Sequence, residues 1–90
     1  MSPRWSSLAI DDLIALRSFI AQQDPAGADR ISHRIVEIVE RLLPVNPQMG
    51  RPGRVPGTRE FVIPGATFIV PYRLAGDTIQ ILRVYHSSRR

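Results

Sequence analysis

The sequence predicts an α+β domain in which a helical hairpin packs on a small antiparallel β-sheet. Three observations carry that prediction. Apolar residues recur at helical spacing through the first half of the chain, they alternate at period two after residue 57, and a proline- and glycine-crowded segment separates the two regimes.

Residues 4–7 supply a short first strand or an extended lead-in. A helix is expected from Ser7, a good N-cap type, with Asp11 and Asp12 near the first turn where the helix dipole favours acids. Ala9, Leu13, Leu16 and Ile20 paint one apolar stripe along it. After the joint Gln22-Gln23-Asp24, Asp24 caps a second helix and Pro25 fits its first position, where no N–H is needed. Ala28, Ile31, Ile35, Ile38 and Leu42 form its apolar face, Glu37 and Arg41 stand i,i+4 on the outer side, and Pro44 ends it. Residues 44–57 hold four prolines and three glycines in fourteen positions, which predicts a loop without regular structure.

Strands follow over 58–63, 67–74 and 78–86, with turns at Pro64-Gly65 and Ala75-Gly76-Asp77. Phe68, Val70, Tyr72 and Leu74 share one face, and connections this short require antiparallel neighbours. Pro71 within a strand marks a bulge or an unpaired N–H. The helices cover one side of such a sheet. The open side is expected to carry Arg73 and some of Arg59, Arg83 and His86.

Ninety residues make one domain, 1–90, too small for a two-domain enzyme with an interdomain cleft. No apolar run reaches membrane-spanning length, and Met1–Trp5 lacks the apolar stretch of a signal peptide, so the expectation is a soluble cytoplasmic protein. The absence of cysteine excludes disulfides, thiolate zinc sites and a cysteine nucleophile. Two histidines without clustered carboxylates, and no glycine loop ahead of a helix, leave no cofactor or metal expected.

All twelve basic residues are arginine. Residues 1–50 carry five Arg against six acids, whereas residues 51–90 carry seven against two, so the second half is expected to face an anionic partner. In the second helix Arg30, Arg34 and Arg41 are offset by Asp29, Glu37 and Glu40, which disfavours a DNA-reading helix. His33 lies off the apolar stripe and needs no functional account.

The order of elements, with Trp5-Ser6, Ala9, Asp12-Leu13 and Asp24-Pro25, then the run Gly50 to Glu60, Tyr72-Arg73 and Ile79 to His86, resembles the RelE/ParE superfamily of bacterial type II toxin–antitoxin toxins. The resemblance covers nearly the whole chain. It implies a toxin neutralised by a small cognate antitoxin, which engages the outer groove of the helical hairpin and the sheet edge. RelE-like members cleave mRNA on the ribosome, whereas ParE-like members poison DNA gyrase. RelE-type nucleases typically show aromatic-Arg-apolar-apolar-Tyr in the middle strand. Here the run is Phe68-Ile69-Val70-Pro71-Tyr72, with isoleucine where that arginine would stand. The resemblance therefore points first to a ParE-like gyrase inhibitor of the plasmid-stabilisation type. A ribosome-dependent mRNA endonuclease is the alternative, and a non-toxic interaction module a third reading.

Arg51, Arg54, Arg59, Arg73 and Arg83 are the candidate target contacts. Arg73 and Arg83, on neighbouring strands, suggest a phosphate-gripping pair, unless one of them caps a helix or pairs with Asp11 or Asp12. Arg59 and Glu60 are adjacent and point to opposite faces, so one is expected to bridge to the helices. Were the chain a nuclease, His86, Arg73, Glu60 and Tyr85 would be the catalytic candidates, because arginine is a poor general base.

Overall fold

Ser6 rather than Ser7 starts the first helix. Its hydroxyl accepts the Ala9 N–H at 3.0 Å and donates to the Leu82 carbonyl at 2.8 Å, so one side chain caps the helix and ties it to the far end of the chain. The computed structural model describes residues 2–87. Helix α1 spans Ser7–Ala21 and α2 spans Pro25–Leu42, the latter capped by Asp24, whose carboxylate accepts the Gly27 N–H at 3.0 Å. The strands are β1 Pro3–Trp5, β2 Arg51–Pro52, β3 Arg59–Val62, β4 Phe68–Ala75, β5 Thr78–Ile81 and β6 Tyr85–His86. Two helices packed on one sheet give the expected α+β class.

The sheet is mixed rather than purely antiparallel. Its order is β1-β5-β4-β3-β2, β6 pairs with β4 beyond the end of β5, and β1 runs parallel to β5. β1 can do this because both helices and strands β2 to β4 intervene in sequence between the two strands. The β4–β5 hairpin closes through Gly76-Asp77. Gly76 alone takes positive φ (+60°), the type II′ arrangement that matches strand twist.

The single strand expected over 78–86 is interrupted. Tyr72 pairs with Ile81 and Ile69 with Tyr85, so four residues separate the partners on one side where three separate them on β4. One extra residue makes a β-bulge at Leu82-Arg83-Val84. It lies beside Pro71, whose carbonyl accepts the Leu82 N–H at 2.9 Å; the irregularity that Pro71 signalled falls on its neighbour strand. The bulge shifts the alternation, so Val84 is buried and His86 pairs with Phe68.

The core lies between α2 and one face of the sheet. Ile35, Ile38, Val39 and Leu43 meet Phe61, Val70, Tyr72, Ile79 and Ile81, none more than 6% exposed. Each such aliphatic side chain contributes about 1.5–3 kcal/mol through burial. Helix α1 is different. Only Ala9 is fully buried, while Leu8, Ile10, Ile14 and Phe19 stand exposed on a helix that is apolar over most of its circumference. A helix apolar all round is one that expects cover on more than one side.

Candidate functional site

The proline- and glycine-rich segment is built, not irregular. β2 pairs with β3 (Arg51 opposite Glu60, Pro52 opposite Arg59), and beyond them the Gly53 N–H donates to the Thr58 carbonyl at 2.8 Å. Val55 to Thr58 closes the tip, with the Thr58 N–H on the Val55 carbonyl at 3.1 Å, Pro56 second and Gly57 third at φ +83°. That is a type II turn, in which proline presets the first dihedral and only glycine takes the second without strain. The prolines and glycines that argued against regular structure are the ones a tight hairpin demands.

Two buried polar groups hold this arm at its root. The Tyr72 hydroxyl accepts the Gly50 N–H at 2.9 Å and donates to the Pro47 carbonyl at 2.7 Å. Burial pushes the phenol's pKa up, opposed by the Gly50 N–H and the Arg59 charge, so it stays a neutral donor. Arg59 gives Nη1 to the Gln48 and Gly50 carbonyls at 3.1 and 2.9 Å. The Glu60 side chain, 6% exposed, lies on the opposite face beneath the arm. It accepts Arg51 Nη2 at 3.3 Å and the Arg54 backbone N–H at 3.4 Å. Glu60 pairs with Arg51 of the hairpin rather than with a helix, and Arg59 bonds the Gln48 and Gly50 carbonyls, so both hold the hairpin instead of supplying the bridge to the helices expected from sequence. The Arg54 guanidinium has no hydrogen bond or ion pair among the described residues.

On the sheet face away from the helices, Arg4, Gln80 and Arg73 lie in one register row across β1, β5 and β4. Arg73 Nε donates to Gln80 Oε1 at 2.6 Å. Ile69, two positions along this face beyond Pro71, is 4% exposed.

The third cluster sits where α1 meets the bulge. Asp12 Oδ2 accepts Arg83 Nε at 2.7 Å and the Val84 N–H at 2.9 Å, while Oδ1 accepts Arg83 Nη2 at 3.0 Å. Burial would raise the Asp12 pKa, but the Arg83 hydrogen bonds, the Val84 N–H and the adjacent positive charge outweigh it and hold the carboxyl below its ordinary value. The same bonds push Arg83 upward. The guanidinium also stacks 4.9 Å from the Tyr85 ring centre. His86 meets Phe68 edge-on at 5.5 Å and places Nε2 3.2 Å from Thr67 Oγ1. Between α1 and this edge runs a groove of about 700 Å³, lined by Leu16, Phe19, Phe68, Arg83, Tyr85 and His86 among others.

The structure thus separates residues that the sequence grouped. Arg73 and Arg83 form no pair, because the bulge turns Arg83 to Asp12 while Arg73 stays with Gln80. Of the residues expected on the open face, Arg73 is there; Arg59, Arg83 and His86 are not. His86 and Arg73 stand opposite and at positions five residues apart on β4, about 17 Å of strand, with Glu60 covered between them. Arg51 and Arg54 share the hairpin. Sequence reasoning missed Arg4 on the open face, the Tyr72 hydroxyl and the groove beside Phe19. The apolar residues of α1 outside its stripe were the available signal for the groove. Among the described residues no three His, Cys, Asp or Glu side chains group as metal ligands, and no helix is long and apolar enough to cross a membrane.

Comparison with known proteins gives a consistent result. Residues 4–90 match the family described as the ParE toxin of the type II toxin–antitoxin system parDE. The Y4kP protein of Sinorhizobium fredii is 37% identical over 87 residues, 97% of this chain and 88% of that protein. Toxin RelE2 of Caulobacter vibrioides is 28% identical over 85 residues, 94% of this chain and 93% of its own. Among solved structures, the chromosomal ParDE toxin–antitoxin system from P. aeruginosa superposes with a TM-score of 0.83 at 32% identity, covering 96% of this chain and 95% of that one. The RelBE2 toxin–antitoxin complex from Mycobacterium tuberculosis gives 0.67 at 28% identity, covering 94% and 88%.

Proposed function

The chain belongs to the ParE toxin family of type II toxin–antitoxin systems, within the RelE/ParE superfamily, and from that premise we propose that its target is DNA gyrase. One observation carries this choice over mRNA cleavage: the proton-transfer candidates do not converge. Glu60 is buried beneath the hairpin and bonded to Arg51 and Arg54, His86 packs on Phe68 on the helix side of the sheet, and Tyr85, on the open face opposite the buried Ile69, has its ring against the Arg83 guanidinium. General acid–base chemistry on a phosphodiester needs such groups within hydrogen-bond reach of one reacting atom. A poison that acts by binding needs only a presented surface, and Arg51, Arg54 and Arg73 supply one.

The antitoxin, in this reading, covers the groove between α1 and the C-terminal edge. Exposed Phe19 and half-buried Leu16 line an apolar strip, continued outside the groove by exposed Leu8 on the same helix, and the polar side chains of Arg83 and His86 at its rim suit an amphipathic segment. A second reading, ribosome-dependent mRNA cleavage, draws on the likeness to Toxin RelE2 and on Arg73 at the open face. A two-target assay separates them. Antitoxin-free protein added to gyrase supercoiling reactions and to ribosomes on a defined mRNA is expected to trap cleaved DNA and leave the message intact. Positioned mRNA cuts with normal supercoiling would overturn the gyrase reading.

A further inference from the structure

We propose that the β2–β3 hairpin is a preformed arm that grips the phosphate backbone of duplex DNA through Arg51 and Arg54. The first ground is charge. Between Glu40 and Asp77 the chain holds Arg41, Arg51, Arg54, Arg59 and Arg73 against one acid, Glu60. That acid is buried, so every exposed charge of the arm is positive. The Glu60 contact to Arg51 uses Nη2, and the Arg51 side chain is half exposed. Its contact to Arg54 is with the backbone N–H, and Arg54 is exposed, its guanidinium without a hydrogen bond or ion pair among the described residues.

The second ground is rigidity. The root is pinned by the Tyr72 hydroxyl and Arg59, the tip by the type II turn and by the Thr58 hydroxyl on the Val55 carbonyl at 2.6 Å. The ordering cost of the backbone that carries the two arginines is met on folding rather than on binding. A loop whose arginines served solubility alone would need none of these anchors.

The third ground is shape and composition, which select the nucleic acid. A two-stranded ribbon fits the roughly 12 Å major groove of B-form DNA, whereas the corresponding groove of A-form RNA is too narrow for it. Residues 44–60 contain no aromatic side chain on which an unpaired base would stack, the usual means of holding single strands. An acidic protein partner would favour large apolar anchors beside the cations, and Val55 is the one exposed large aliphatic side chain between Arg51 and Glu60. This inference does not rest on the choice of gyrase, since the binding is measured with neither gyrase nor ribosome present.

The test is fluorescence anisotropy of a labelled 20-base-pair duplex titrated with the full chain from about 50 to 200 mM salt. The wild type is expected to bind with a salt-dependent affinity. Arg54→Ala is expected to lower the slope of log affinity against log salt by about 1, and Arg51→Ala with Arg54→Ala by about 2. Arg30→Ala with Arg34→Ala on α2 removes the same charge and is expected to leave the slope unchanged. Arg54→Ala disturbs no anchor of the fold, so its result stands even where the Arg51 change loosens the hairpin. Four results would overturn the proposal. These are no binding by the wild type at 50 mM salt, equal loss in the hairpin and α2 variants, tighter binding to the single strand or to duplex RNA, and binding to a poly-glutamate probe in place of DNA.

Discussion

Asp12 and Arg83, separated by 71 residues, form a two-pronged ion pair whose carboxylate also takes the Val84 N–H. This contact fastens α1 to the bulge that splits the last strand. It explains why Arg83 faces the helix rather than the open sheet, and why His86, opposite Phe68, turns to the helix side while Tyr85, opposite Ile69, does not.

Asp12→Asn is expected to destabilise the fold by about 1–3 kcal/mol at neutral pH, the cost of leaving a charged donor and a backbone N–H poorly matched. The pH dependence has a definite sign. The folded carboxyl lies below its ordinary 3.8, so its stabilisation is complete above that value and fades as pH falls through the lower folded one. Urea unfolding from pH 7 to pH 2 checks this. The gap between wild type and variant is expected to hold to about pH 5 and close in strong acid.

Tyr72→Phe removes the hydroxyl that joins Pro47 to Gly50. The expected loss is about 1–3 kcal/mol, with faster amide exchange at Gly50 than elsewhere in the sheet. Gly50→Ala acts on the same joint from the other side, because a Cβ there would lie 2.7 Å from the Tyr72 ring and hydroxyl. It too is expected to lower the unfolding midpoint. Unfolding equilibria with hydrogen exchange on both variants check the pair.

Phe19→Asp tests the antitoxin groove. Phe19 is 57% exposed, so the change is expected to move unfolding stability by about 0.5 kcal/mol or less. Affinity for the cognate antitoxin, measured by titration calorimetry, is expected to fall tenfold or more, since a charge then faces an apolar contact. Unchanged affinity would place the antitoxin elsewhere.

Ile35→Ala deletes a side chain 1% exposed at the centre of the α2–sheet interface. The expected cost is about 2–5 kcal/mol from lost burial and the cavity left behind, enough to threaten a domain of this size. A denaturant midpoint shift at constant slope checks it.

Much of the fold was legible in the chain. The 3-4-3-4 spacing from Ala28 to Leu42 marked α2 and its buried face, and the alternation from Phe68 to Leu74 marked the core side of β4. Asp24 and Pro25 placed the helix start correctly because both act within one turn. The hairpin at 51–60 was hidden by the same residues that build it, since Pro56 and Gly57 read as breakers unless their register with Arg59 and Glu60 is known. Of the candidate site, the loop arginines were visible as an unbalanced charge. Their anchoring by Glu60 and Tyr72 was not, because it joins residues that are distant or on opposite faces.

What the sequence determined by itself was therefore local: two amphipathic helices, three strand segments, and a second half rich in arginine with little acid. Periodicity and composition act over a few residues, and they leave their mark without any reference to the rest of the chain. What only the tertiary structure decided was which arginine is held and which is presented. One extra residue between Ile81 and Tyr85 inverts the alternation of the last strand, and a single carboxylate on α1 draws Arg83 out of the sheet. Such choices are made by packing and by the need to pair a half-buried charge, and those forces exist only once distant segments have met.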